Sequence, residues 1–372
     1  MRLALRLARR GFGATSPNPM VGVVLVKRGK IIGQGWHHRA GGPHAEIEAF
    51  RDAQARRNDP KGSTLYVTLE PCSTHGRTPP CTDANKAAGI KRVVVAATDP
   101  NPAHSGRGFQ LLNRAGIKVA HGILADEADA LNEAFNHWIV HRTPFVTVKA
   151  AMTLDGKIAT AAGESKWITG PKARAHGMQL RHEADAILVG INTVLADDPS
   201  LTARKIPGSP SGVQSPKHRI ILDSLARTPL TAKIVNDEFA HLTTIVVGKH
   251  APKNRVSALA RRVNVLVAPS IQSKIKNQKS KINLRWLLKK LGSQGIANLL
   301  VEGGGEVNAS FLLGGLADRV AFFYAPKILG GRDARKGVGG DGISRLPQSV
   351  KLHGVEWRWL GPDLLLTGRI GE

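Results

Sequence analysis

His44-Ala45-Glu46, Pro71-Cys72 and Cys81 bring one imidazole, two thiols and one carboxylate into the first 81 residues of the chain. These are the parts of a hydrolytic zinc centre. Three N/S protein ligands leave the fourth position of a tetrahedral zinc open for water, whose pKa falls to about 7. A carboxylate two residues after the histidine is then placed to move protons without ligating the metal. The 372 residues include two cysteines, and both fall in this arrangement. Each piece also has a plainer reading. His-x-Glu recurs by chance in a chain with 14 histidines, and two cysteines serve as buried apolar side chains or as a disulfide pair. The context favours the metal. A strand-like run at 64–69 ends just before Pro71-Cys72, and the turn-rich segment 73–80 can fold both thiols toward one point.

His-x-Glu followed by Pro-Cys and a second cysteine is the signature of zinc-dependent nucleobase deaminases. In that signature two residues separate the thiols, whereas here eight do, among them His75-Gly76-Arg77-Thr78-Pro79-Pro80. The wider spacing resembles the deaminase half of the bifunctional riboflavin biosynthesis family. That family fuses a diaminohydroxyphosphoribosylaminopyrimidine deaminase to a 5-amino-6-(5-phosphoribosylamino)uracil reductase. The string Thr-Ser-Pro-Asn-Pro-Met-Val-Gly at 15–22 is similar to the same family.

The elements that must hold these residues are readable from periodicity. Apolar runs at 21–26 and 31–36, joined by Lys27-Arg28-Gly29-Lys30, form a hairpin. A helix over 45–55 starts at His44 and carries Glu46 in its first turn. The strand at 64–69 leads to Cys72. A helix over 82–88 takes Cys81 at its N-terminal end, where the dipole favours thiolate. A strand at 92–97 is followed by a Gly/Pro-rich loop over 99–108, and a helix over 126–141 closes the domain. The basic, acid-free segment 1–10 runs straight into the 15–22 motif, so it reads as a first helix rather than a transit peptide. Arg142-Thr143-Pro144 marks the boundary, giving domains 1–142 and 143–372. Beyond it a strand at 145–150 and short apolar runs at 186–190, 218–223, 243–247, 263–268 and 298–301 alternate with helical stretches. This pattern predicts a mainly parallel, helix-covered sheet.

A second site is written into this half. Val301-Glu302-Gly303-Gly304-Gly305-Glu306 follows a strand and precedes a helical run over 307–313, so its backbone N–H groups can approach phosphates closely. The spacing is not Gly-x-Gly-x-x-Gly, and a plain strand–helix turn is the simpler alternative. Gly330-Gly331 and 337–342 mark a loop to which no role is given. Polar clusters at 153–159, 163–169 and 193–204 offer hydroxyls, the adjacent Asp197 and Asp198, the Trp167 indole and Arg204. Singly these are turns and a core aromatic. Together with Asp223-Ser224 and Arg227-Thr228-Pro229, they resemble the reductase half of the same family over essentially all of 145–372.

The resemblance implies an α/β protein with an N-terminal cytidine-deaminase-like αβα domain and a C-terminal dihydrofolate-reductase-like α/β domain. It implies one Zn²⁺ per chain on His44, Cys72 and Cys81, with Glu46 catalytic, and NADPH as the second cofactor. Ala151, Trp167, Thr193, Asp197, Ser224 and the turn Gly304, Gly305, Glu306, Val307, Asn308, Ala309 and Ser310 would lie along NADPH. Asn18 would meet the pyrimidine edge with its donor and acceptor. Ser165, Arg181, Leu201, Arg204 and Glu302 would face the second substrate, the two arginines gripping its phosphate bidentately. The expected reactions are hydrolytic deamination of 2,5-diamino-6-(5-phosphoribosylamino)pyrimidin-4(3H)-one, then NADPH-dependent reduction of the ribosyl group to ribityl.

A net charge of +25 points elsewhere, toward nucleic acid. The excess is spread along the chain, with one dense stretch at 249–290. Within that stretch 270–281 reads as a solvated loop without the interleaved aromatics of a base-stacking platform. The rival function is therefore a tRNA adenosine deaminase, or another adenosine or cytidine editor of nucleic acid with a basic binding surface. A further alternative is a non-catalytic module whose zinc is closed by His75 as fourth ligand. A 42% apolar content suits globular cores, no apolar run approaches a membrane span, and two cysteines suit a reducing cytoplasm. The expected partner is a small phosphorylated pyrimidine, with neither a specific nucleic acid nor a membrane, in a homo-oligomer (dimer or tetramer).

Overall fold

The computed structural model describes residues 1–75, 79–204, 216–269 and 282–371. The 270–281 stretch expected to be a solvated loop, and residues 76–78 between the cysteines, lie outside the described residues. The chain divides into two compact units, Met1–Arg142 and Thr143–Glu372.

Unit one is built on β1 (Gly22–Lys27), β2 (Lys30–Trp36), β3 (Thr64–Leu69), β4 (Arg92–Ala97) and β5 (Lys118–Ala120), in the order β2-β1-β3-β4-β5. β1 is antiparallel to β2 and β3, while β3, β4 and β5 run parallel. Arg28 and Gly29 both take positive φ, the turn chemistry that a tight hairpin requires. The helices are α1 (Arg2–Ala8), α2 (Ala45–Ala55), α3 (Cys81–Ala87), α4 (Arg107–Arg114), α5 (Ala125–Leu131) and α6 (Glu133–His141). Side chains alternate across each strand, which makes three layers. Val23, Leu25, Leu65, Val67, Val93 and Val95 face Ala45, Ala49 and Ala53 of α2 and Leu112 of α4. Val24 faces Ala4 and Leu7 of α1, and Ala96 faces Ala128 of α5.

The helix expected over 126–141 is broken into α5 and α6 at Asn132. Its amide accepts from Met20 N at 2.8 Å and donates to Met20 O at 3.0 Å. This long-range pairing ties the segment to the stretch that carries Asn18. Backbone clearance positions α2: a Cβ on Gly35 would stand 2.4 Å from Ala49 N and 2.6 Å from Ala45 O. We expect Gly35→Ala to push α2 off the sheet, costing about 1–3 kcal/mol and weakening zinc binding through His44. Thermal melts and a zinc titration read both effects.

Unit two contains β6 (Phe145–Thr153), β7 (Lys157–Ala159), β8 (Ala186–Gly190), β9 (His218–Leu222), β10 (Thr243–Gly248), β11 (Asn264–Ala268), β12 (Asn298–Val301), β13 (Arg319–Ala325), β14 (Arg335–Lys336), β15 (Leu352–Leu360) and β16 (Asp363–Ile370). Nine of them form one sheet, β11-β10-β9-β8-β12-β6-β13-β16-β15, and β14 pairs with β7. Pairing is parallel from β11 to β13 and antiparallel beyond. The helices are α7 (Pro171–Glu183), α8 (Ile191–Asp197), α9 (Lys233–Asn236), α10 (Lys253–Ala260), α11 (Leu284–Ser293) and α12 (Gly305–Leu312). Leu188, Ile220 and Val301 pack on α11 and α12, whereas Ile187, Ile221 and Ile245 face α8, α9 and α10. The C-terminal hairpin is absent from the sequence reading, although Val355, Trp357 and Trp359 of β15 alternate with Glu356 and Arg358; the strand is exposed along most of its length. Among the described residues, no helix is long and apolar enough to cross a membrane.

Candidate active sites

In unit one three elements deliver their side chains to one point. His44 caps the N-terminus of α2, Cys72 follows β3, and Cys81 is the first residue of α3. The His44 Nδ1 atom stands 3.2 Å from Cys81 Sγ and 3.5 Å from Cys72 Sγ, and all three ligand atoms lie within 4.8 Å of one another. The donor set, one imidazole and two thiols held together without any disulfide, fits a zinc ion. Cys81 N–H donates to Cys72 Sγ at 3.2 Å. Hydrogen bonding from Cys81, opposed by burial and helped by His44, holds the Cys72 thiol below its ordinary range, toward the thiolate that a metal ligand must be. The Cys81 thiol is pushed the other way by its bond to Cys72 and by burial. His75 is exposed and stands apart from this cluster, which argues against a closed structural site.

Glu46, in the first turn of α2, is buried and lines the same cavity as His44 and Cys72. Burial first, then the neighbouring Cys72, raises its carboxyl above the ordinary glutamate range, as suits a proton carrier. The cavity, about 160 Å³, is also lined by Asn18, His37, Glu70, Asp99 and Phe135. The His37 Nδ1 atom faces Pro43 O at 2.9 Å and must donate there, so Nε2 accepts from Asn18 Nδ2 at 3.1 Å. Burial lowers the His37 pKa and keeps the ring neutral for both roles. His37 thus fixes which way the Asn18 amide faces. Sequence reasoning missed it, because nothing in its spacing sets it apart from the adjacent His38.

In unit two a cavity of about 980 Å³ opens at the carboxyl ends of β6, β8, β9 and β12, where open α/β sheets place their ligands. Ala151, Thr193, Asp197, Gly304, Gly305, Glu306 and Val307 line it, as do Ser165, Arg181, Leu201 and Glu302. Gly304 is the extended N-cap of α12, and the space its Cβ would take is open. A Cβ on Gly305 would sit 2.4 Å from Lys336 O. The first-turn amides of α12 have no acceptor within the helix, and with this glycine-lined approach they fit a dinucleotide pyrophosphate.

The other residues given to NADPH lie outside the cavity wall. Asn308 is buried and donates to Gly337 O at 2.8 Å, Ala309 is buried, and Ser310 bonds back to Glu306 O. Each follows a lining residue by three or four positions and so stands one turn further along α12, past the opening. Trp167 is 65% exposed, with the Arg174 guanidinium 4.7 Å from its ring centroid, and Ser224 lies past the end of β9. Arg204 is exposed outside the wall, its carbonyl facing His182 Nε2 at 2.9 Å.

Arg181 requires a correction. Its Nε and Nη2 donate to Glu302, at 2.6 Å for the shortest contact, and Nη1 donates to Thr202 O. With its fork occupied by a carboxylate, it is not presented bidentately to a phosphate. Burial would raise the Glu302 carboxyl, but Arg181 and then Lys149 outweigh it and hold Glu302 down at about 2. Lys149 on β6, Arg335 and Lys336 on β14, and Gly339 and Gly340 also line the cavity. None of these five was expected. The 337–342 loop reaches the site because Gly339 N donates to Gly305 O and Gly340 N to Glu306 Oε1.

A family model of the cytidine and deoxycytidylate deaminase zinc-binding region matches residues 1–97, and one of the RibD C-terminal domain matches 144–366. The chain is 46% identical to the riboflavin biosynthesis protein RibD of Aquifex aeolicus over 366 residues, covering 98% of this chain and 96% of that one. It is 44% identical to RibD of Actinobacillus pleuropneumoniae, covering 98% and 93%. The structure of Acinetobacter baumannii RibD superposes with a TM-score of 0.86 at 37% identity, over 100% of this chain and 98% of that one. A Thermotoga maritima deaminase/reductase gives 0.82 at 38% identity, over 100% and 97%. Likeness that runs through both units disfavours a nucleic-acid editor. The chain belongs to the RibD family of bifunctional riboflavin biosynthesis enzymes, with a cytidine-deaminase-like domain followed by a dihydrofolate-reductase-like domain.

Proposed function

We propose that residues 1–142 deaminate 2,5-diamino-6-(5-phosphoribosylamino)pyrimidin-4(3H)-one to the corresponding uracil. Residues 143–372 then reduce its ribosyl group to ribityl with NADPH. The observation that carries this reading is the meeting of His44 Nδ1, Cys72 Sγ and Cys81 Sγ within 4.8 Å beside the buried Glu46.

Zinc on these three ligands supplies the Lewis acidity that makes a water nucleophilic at neutral pH. His44 and the two cysteines hold it from three separate elements, so its place is set by the fold. Asn18, oriented by His37, presents a donor and an acceptor to the edge of the ring. Glu46 takes one proton from the attacking water and gives it to the ring nitrogen. It then takes the second from the newly added hydroxyl and passes it to the departing amine, so that ammonia leaves and the carbonyl forms. Its burial keeps bulk water from competing for that proton.

NADPH supplies the hydride for C1 of the ribosylamino group. The first-turn amides of α12 and Gly304 hold its pyrophosphate, and Ala151, Thr193 and Asp197 line its path. Glu302, kept ionised by Arg181, accepts hydrogen bonds from the sugar hydroxyls. Lys149, Arg335 and Lys336 are the cations offered to the substrate phosphate in place of Arg181. We place the enzyme in the cytoplasm as a homo-oligomer (dimer or tetramer), acting on a small phosphorylated pyrimidine.

Zinc-loaded protein given the diaminopyrimidine phosphate and NADPH should release ammonia and consume NADPH. Ammonia without NADPH oxidation would remove the second activity. Neither signal from folded, zinc-loaded protein would remove both.

A further inference from the structure

Glu70 leaves β3 and directly precedes Pro71-Cys72, yet it is not part of the ligand cluster. It is 5% exposed and accepts three backbone N–H groups from one loop. Oε2 takes Asp99 N at 3.2 Å and Gly106 N at 3.0 Å, and Oε1 takes Gly108 N at 2.8 Å. Gly106, at φ 74°, is the N-cap of α4, and Gly108 lies in the helix's first turn. One carboxylate therefore gathers both ends of the 99–108 loop and caps the helix that leaves it. The contact is close-packed from the other side as well: a Cβ on Gly108 would stand 2.5 Å from Pro71 O and 3.0 Å from Glu70 Oε1. What the loop brings to the deaminase cavity is Asp99, which lines it together with Glu70 itself.

We propose that Glu70 is the positioning residue of the deaminase pocket: by gathering the 99–108 loop it sets where Asp99 stands in the substrate-facing wall. The inference rests on the deaminase reading above. The metal ligands and Glu46 come from α2, α3 and residue 72, so a displaced loop changes how substrate is held more than how it reacts. The effect should appear in KM rather than kcat.

The test compares Glu70→Gln, Glu70→Ala and Gly108→Ala in the full zinc-loaded chain. It measures deamination KM and kcat, bound zinc, and reduction of the deaminated substrate as a measure of folded enzyme. With its oxygen at the Oε2 position, Gln keeps two of the three bonds, whereas Ala keeps none. Expected is a graded rise in deamination KM, a few-fold for Gln and roughly tenfold or more for Ala, with kcat changed less than about threefold. Gly108→Ala should raise KM in the same direction, with zinc content and reductase activity unchanged in all three. Unaltered KM in Glu70→Ala would overturn the proposal, and so would a loss of deamination that follows zinc release or lowered thermal stability. Should Glu70→Ala fail to fold, the other two variants decide it by the same criterion. If the wild type itself releases no ammonia, the deaminase reading falls and this inference with it. Normal wild-type deamination with indifferent variants refutes the inference alone.

Discussion

Glu46→Gln will stop ammonia release and leave the reduction of deaminated substrate at its wild-type rate. General acid–base catalysis is worth about 10²–10⁴-fold. Glu46 is assigned both the uptake and the return of the proton, so the upper end, roughly 10⁴-fold in deamination kcat, is expected. Bound zinc should stay near one per chain, because the ligand atoms belong to His44, Cys72 and Cys81. Stability should barely change, since a neutral amide replaces a buried carboxyl already pushed toward its neutral form. Cys81→Ala, or dialysis against a strong chelator, should reach the same arrest by losing the metal, again with the reductase intact. Zinc analysis beside the two assays separates the cases. Deamination by Glu46→Gln within tenfold of wild type would mean that another group carries the proton.

Arg181→Met should abolish reduction and cost about 3–5 kcal/mol, the penalty for breaking a buried ion pair and leaving one charge uncompensated. The Arg181 and Glu302 side chains are 19% and 9% exposed, so water screens them little. In the wild type the Glu302 carboxyl is held down at about 2, below its ordinary value of 4.5. The stability this contributes is present above the unfolded value and is lost as pH falls from there through about 2. In the variant burial acts without Arg181, the Glu302 pKa rises, and the sign reverses: stability is recovered as pH falls through the raised value. Denaturant melts above and below the ordinary glutamate range measure that reversal. The double variant Arg181→Met/Glu302→Gln should regain most of the stability and none of the activity. A double variant no more stable than the single one would show that the pair does not carry the cost.

Much of the first site is legible because its chemistry is rare in composition. Two cysteines, each directly after a proline, following a His-x-Glu leave few ways to be satisfied, and the short-range pattern already places Glu46 in the first turn of a helix. Most core strands are equally plain, because buried parallel strands must be continuous apolar runs; β13 carries such a run as well, but it was passed over. The alternation of Val355, Trp357 and Trp359 in β15 was legible too but was passed over, and the structure leaves that strand exposed along most of its length. Asn132 breaks a helix that local propensity would continue, through bonds to Met20 that span 112 positions.

By itself the sequence determined the chemistry and the order of elements: an imidazole, two thiols and a carboxylate for one site, and a glycine-rich strand–helix turn for the other. Those signals depend on residue type and on neighbours a few positions apart. Only the tertiary structure decided that His37 orients Asn18, that Glu70 gathers a loop, that Arg181 is spent on Glu302, and that Lys149 and the 337–342 loop reach the second cavity. Each of these depends on which remote groups satisfy a buried donor or charge, and the cost of burying a polar group unpaired is met only once the chain has folded.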